Sequence, residues 1–428
     1  MAGVAAKDTP KRIPLVYDES TVDRGENKLV VKIKTLTPLY TGGIDGTMDR
    51  IHETGIIGSL RWWYEAIVRG LGGSACDPTE HTCHFDSDKY RRSKAKDERQ
   101  RLLDAGLCDV CQVFGATGWR RRFRLEVEDE TQPLWTPPDK LLNIRPPDRK
   151  RGWYLPPGRM GKLTLHFIGE PSALSLIANL LLFLEKWGNL GAKPQLGYGV
   201  FSIENRNEVK GWSNKQQWRV MENKEPSDKL PDLRRFGFFK YRFAPSQPGW
   251  WTDVPGLTSV ARHVELLVSR YLIVPANPAL KNEWRFRRWN RTWGDPREVF
   301  GTLKPERKRS RIAVSWAYRM NGEWEVRGWA WLKETHWTKG VWSVLSDKHI
   351  WRSIFPDGEL SAFQAQNSNI LEIMQKGGQR WIEDIRPQLL LFSTKQVKGS
   401  FIQGRSESPL QGDRSLILYM IADQRTEK

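Results

Sequence analysis

In "KLVVKIKTL" (28–36) apolar and polar residues take turns, the period of a half-buried strand. "RRFRLEVED" (121–129) alternates again, with Phe123, Leu125 and Val127 on one face, and "GKLTLHFIGE" (161–170) and "GYGVFSIEN" (197–205) read as further strands. Between the first two, "GIIGSLRWWYEAIVRGLGG" (55–73) turns helical. Leu60, Trp63, Tyr64, Ile67, Val68 and Leu71 make one apolar stripe, with Ser59 as N-cap and Gly72-Gly73 as the stop. "PSALSLIANLLLFLEKWG" (171–188) predicts a long buried helix opened by Pro171. The resulting order, β-α-β-β-α-β, is ferredoxin-like and is shared by RNA-recognition modules.

Residues 73–112 break this order as a polar, cysteine-bearing insertion with a charged helix near Lys89–Leu103, and residues 206–233 read as a linker. Beyond it come a strand at 234–243, a helix at 258–273, a hairpin over 311–332 turning at Asn321-Gly322, and a closing strand "SLILYMIA" (415–422). The pattern therefore predicts an α+β chain of two fused ferredoxin-like (RRM-like) domains. The first spans 1–205, the linker 206–233 and the second 234–428.

Charge changes the picture. The 428 residues carry 68 Lys+Arg against 50 Asp+Glu, a net +18 spread along the chain, which favours a polyanionic partner. "ALSLIANLLLFL" (173–184) is too short to span a bilayer, and "MAGVAAKDTPKRIP" lacks the apolar run of a secretion signal. The expectation is a cytoplasmic protein without a membrane partner. Tryptophan is abundant at 21 residues, often beside arginine, as in "WRFRRWNRTWG" (284–294) with Trp284, Phe286, Trp289 and Trp293. Arginine binds phosphate and aromatic rings stack on unpaired bases, so such runs suit single-stranded nucleic acid. Trp62 stands off the helical stripe with Arg61, Glu65, Ala66 and Arg69, a side expected to be wet. Trp62 and Arg61 are accordingly candidate RNA contacts, as are Arg120, Arg121 and Arg122 in "GWRRRFRLEV".

All four cysteines lie in the insertion: Cys76 and Cys83 in "CDPTEHTC", Cys108 and Cys111 in "CDVC". Two ligand pairs separated by an intervening segment can close a tetrahedral, structural Zn²⁺ site, and His81 or His84 could replace a cysteine in it. "GNLGAKPQLGYG" (188–199) offers Gly191, Gly197 and Gly199 for close backbone approach and Lys193 for a phosphate. It lacks the order of a nucleotide-hydrolysing P-loop. No catalytic spacing stands out among the seven histidines; His166 falls on a strand, and His52 and His263 are the remaining candidates for a metal-independent nuclease.

"LTPLYTGG", "ETGIIGSLRWWYEAIVRGLGG", "CDPT", "LCDVCQVFGATGWRRRFRL" and "LGAKPQLGYG" together resemble the RAMP superfamily of CRISPR proteins, densely over roughly 36–205. Within it the likeness is to the large two-domain RAMP subunits of type III-B (Cmr) effector complexes. The resemblance implies two fused ferredoxin-like domains and a glycine-rich loop, Gly191–Gly199, that touches RNA backbone. It also implies contact with the 3′ region of guide RNA and with target RNA, other RAMP subunits as neighbours, and cleavage carried out by other chains. A RAMP endoribonuclease maturing guide RNA is the alternative. His52 departs from the family pattern, which implies a basic residue there.

Overall fold

The computed structural model describes residues 27–367, apart from 44–46, 78–79, 136, 138–139 and 214–226. The "SLILYMIA" strand expected at 415–422 lies outside the described residues.

The first sheet follows the alternation. Strands β1 (Lys28–Thr35), β2 (Phe123–Asp129), β3 (Lys162–Gly169) and β4 (Phe201–Ile203) pair antiparallel in the order β2-β3-β1-β4. Leu29, Val31 and Ile33 on β1 and Leu163, Leu165 and Phe167 on β3 point inward. Against that face lie α1 (Glu53–Gly70) and α5 (Pro171–Trp187). The outer face carries Lys32, Lys34, Arg124, Glu126, Glu128, Thr164 and His166 instead. Helix α1 begins at Glu53, ahead of the expected Leu60, since Gly55 seats close on Thr41 rather than opening a loop. The charged helix of the insertion is two short ones, α2 (Ser87–Arg92) and α3 (Glu98–Asp104), followed by α4 (Asp109–Phe114). The start of the expected linker is also helical: α6 (Arg206–Ser213) buries Val209 beside α5.

The second sheet is six-stranded. Its main strands are β5 (Phe236–Phe243), β6 (Ile312–Val314), β7 (Ala317–Met320), β8 (Glu323–Trp331) and β9 (Gly358–Gln364). Four of them run β7-β8-β5-β9, and β6 also pairs with β8. By chain order that is second-third-first-fourth, the same as in the first sheet. Asn321 and Gly322 both take positive φ in the β7–β8 turn, as a two-residue hairpin requires. Helix α7 (Ala261–Tyr271) falls where its period places it.

Both faces of this sheet are covered. Phe239, Tyr241, Phe243, Trp324 and Val326 pack with Trp250, Trp284 and Trp351 in a second core. Phe236, Phe238, Trp329 and Phe363 turn the other way, onto Trp62, Trp63, Phe183 and Trp187 of α1 and α5. The two long helices are therefore sandwiched between the sheets. Asn189 ties the layers: its carbonyl accepts from Trp63 Nε1 at 3.1 Å and its side-chain oxygen from Trp329 Nε1 at 3.0 Å. Among the described residues no helix is long and apolar enough to cross a membrane.

Candidate metal centre and nucleic-acid surface

Chain turns at either end of the insertion bring Cys76, Cys83, Cys108 and Cys111 together, with their sulfurs all within 4.8 Å of one another. A tetrahedral zinc ion at about 2.3 Å from each sulfur requires edges of about 3.8 Å, so the cage has the right size. Backbone N–H groups of Cys76 and Cys111 donate to the Cys108 sulfur, each at 3.4 Å, and that of Cys108 donates to Cys83 at 3.4 Å. The Cys108 pKa falls to about 5, first through the Cys111 thiol and then through those amides, while burial pushes Cys83 up to about 11. One ready thiolate among four convergent sulfurs is a donor set suited to a soft, tetrahedral cation. His81 and His84 are exposed and stand outside the cluster, which leaves the all-cysteine set.

Arg61 is drawn to this cage. Its guanidinium donates to Cys111 Sγ at 3.2 Å and to the Gly115 carbonyl at 3.1 Å, and pairs with Glu65 at 3.0 Å. Glu65 also meets Arg69 at 3.6 Å, and Arg69 donates to the Cys76 carbonyl at 2.8 Å. The expectation of a wet face is corrected here, because Glu65, Ala66 and Arg69 are buried and Trp62 packs on Trp329 at 5.4 Å between ring centroids. The second sheet covers Trp62, and the cysteine-bearing insertion covers Arg61 and Arg69 on the same side of α1. A single-stripe reading of the helix could not see it.

The glycine-rich loop is held by protein on several sides. Gly197 has φ +94°, and a Cβ there would meet Trp316 at 2.4 Å. At Gly199 a Cβ would meet the Leu190 carbonyl at 2.0 Å, and Gly191 closes on the Tyr40 carbonyl in the same manner. Trp316 Nε1 donates to Leu196 O at 2.9 Å, and the buried Lys281 ammonium bridges the carbonyls of Gln195 and Ile312. Lys193 takes a left-handed backbone and sits half-buried with Nζ 3.5 Å above the Tyr40 ring, its pKa lowered by burial.

The three candidate arginines diverge. Arg122 is spent on Glu170 (2.8 Å), Glu98 (3.2 Å) and the Gln112 carbonyl. Arg121 binds the Phe123 carbonyl and has no carboxylate partner among the described residues, and Arg120 is exposed. His52 pairs with Asp49 at 2.6 Å and His166 with Glu128 at 2.7 Å.

Tryptophan abundance misleads as a sign of stacking rings. None of the described tryptophans is exposed, and Trp284 lies in the second core with no exposure at all. The exposed aromatic rings among the described residues are Tyr154 at 55% and Phe286 at 42%. Tyr154 belongs to a small hairpin, Leu142–Ile144 against Trp153–Leu155, that the sequence reading missed. Its strands are three residues long, too short for periodicity, but the basic tip "RPPDRKRG" (145–152) was a readable signal.

The sequence model of the RAMP superfamily matches residues 32–202. No curated protein matches the chain. Among solved structures, the chain is similar to Cmr1 from Pyrococcus furiosus in its apo form, at 14% identity and a TM-score of 0.34 over 72% of this chain and 88% of that one. It is also similar to a chain of a type III-B Cmr-beta structure bound to cognate target RNA and AMPPnP (10% identity, TM-score 0.32, 75% of this chain and 99% of that one). A chain of a type IV-B CRISPR complex matches at 15% identity and a TM-score of 0.29, over 42% of this chain and 91% of that one.

Proposed function

From the match of residues 32–202 to the sequence model of the RAMP superfamily, we propose that the chain is a RAMP protein and a non-catalytic RNA-binding subunit of a CRISPR effector complex of the type III-B (Cmr) kind. Guide RNA, at its 3′ region, and target RNA are its polyanionic partners, and other RAMP subunits are its neighbours. The second sheet, with its repeated strand order, is then a second ferredoxin-like module fused to the first. The observation that carries the reading is unneutralised charge within the matched stretch: Arg120, Arg121 and Lys193 have no carboxylate partner among the described residues, in a chain of net +18. Cations left without acids suit a phosphate backbone.

Titrating the full chain with a guide 3′ RNA across a salt series tests this. Affinity should fall with salt at a slope of about −0.7 in log K per phosphate engaged, and Lys193→Ala should remove about one such increment. Absence of binding at low salt overturns the proposal, and discrete cleavage of repeat RNA replaces it with the endoribonuclease.

The four cysteines would hold a structural Zn²⁺, which stiffens an insertion too polar to order itself. Purified protein should carry about one equivalent of zinc per chain after chelator dialysis. Less than half an equivalent in a folded protein sinks the assignment.

A further inference from the structure

The hairpin over 142–155 reaches across to the second half of the chain. Gly256 lies against the backbone of Arg145 and Pro146 so closely that a Cβ would come within 2.8 Å. Asp148 pairs with Arg287. Beside that pair, the Arg149 guanidinium lies 3.5 Å above the Phe286 ring centroid, and the Arg285 guanidinium stands 5.1 Å from the same centroid.

Two guanidinium groups thus converge on one exposed ring, and neither is paired with a carboxylate among the described residues. Arg149 and Arg285 form no ion pair among the described residues, and the Nε of each is buried without a hydrogen-bond partner. The local acids are committed elsewhere: Glu283 to Arg287 at 3.4 Å and Arg288 at 3.0 Å, and Asp295 to Arg297 at 2.8 Å. Burial and then the neighbouring Arg149 press the Arg285 pKa down, and the more distant Asp295 only partly opposes them. Like charges held this close are relieved by an anion between them. A phosphodiester fits two planar guanidinium forks, and the ring-guanidinium stack offers a flat surface to a base.

We propose that Arg149, Arg285 and Phe286 form a nucleotide subsite for single-stranded RNA, with one phosphate held between the two guanidinium groups and its base laid against the stack. The subsite rests on the RNA-binding reading above but uses none of the residues that carry it.

The test compares the full-length protein with Arg149→Ala/Arg285→Ala and Phe286→Leu, using the guide 3′ RNA and a uridine homopolymer. Both variants should melt like the parent. The double variant should lose about 0.7 from the salt slope. Phe286→Leu should weaken both RNAs about tenfold with the slope kept, within the range measured for loss of one stacked base. Arg149→Lys/Arg285→Lys should restore the slope and leave the affinity low. If the parent binds RNA and the double variant keeps both affinity and slope, the subsite is overturned while the RNA-binding reading stands. If the parent binds no RNA, both fall. If inorganic phosphate protects the parent but not the double variant in thermal melts, while RNA affinity is equal, the cluster is a site for free phosphate and the proposal is overturned.

Discussion

"SLRWWYEAIVR" and "WRFRRWNRTWG" read almost alike, arginines interleaved with rings, yet they occupy opposite environments. The first lies in the dry seam between the two sheets, where Trp62 and Trp63 meet Phe236 and Trp329, and its arginines turn to Glu65, to carbonyls and to the cysteine cage. The second buries Trp284 and leaves Phe286 outside beneath Arg149. Composition does not decide between them. What differs is whether each arginine finds an acid. Glu65, four residues after Arg61 and four before Arg69, serves both on one helix. Arg285 has no such partner, since Glu283 is taken by Arg287 and Arg288.

Three changes probe the dry side of that contrast. Trp63, 1% exposed, should be the most costly: Trp63→Ala should destabilise the protein by about 3–5 kcal/mol in a urea titration. Trp62→Ala should cost less, about 1–3 kcal/mol, because its ring is only partly buried yet makes three aromatic contacts. A melting temperature unchanged by Trp62→Ala would return that side of α1 to water and break the comparison. The smallest effect concerns the buried Lys281. Its pKa is lowered to about 7 by burial and then by Arg285, well under its value in an unfolded chain. The folded state therefore releases the proton near pH 7, whereas the unfolded chain keeps it to far higher pH. The unfolded state binds more protons in that window, so stability should rise by roughly 1 kcal/mol between pH 6.5 and 8. Comparing stability curves with Lys281→Met isolates the contribution, and a difference that does not vary over that window removes it.

Period-two alternation placed β1, β2 and β3, and the Asn321-Gly322 pair placed the β7–β8 hairpin, because these signals are local. The cysteine cluster was legible from spacing alone, although only the fold separates it from His81 and His84. The second covered face of α1 was not legible. A helical stripe reports what a helix needs to bury, and Glu65 and Arg69 are buried as a neutralised pair that looks like a solvent-facing one in sequence. Glycines raised the opposite problem. Gly197 and Gly199 suggested ligand contact, whereas the space their missing side chains leave is filled by Trp316 and Leu190. The subsite at Phe286 joins residues 149 and 285, a juxtaposition that no local pattern encodes.

Because α1 and α5 belong to both sheets at once, a polypeptide cut between residues 213 and 227 would present Trp62, Trp63, Phe183 and Trp187 to water on one fragment. The other fragment would expose Phe236, Phe238 and Trp329. Facing aromatic surfaces of that kind drive self-association. Recombinant production of either fragment alone is therefore an aggregation hazard, and complementation by coexpressing the two is the route to material for dissecting them.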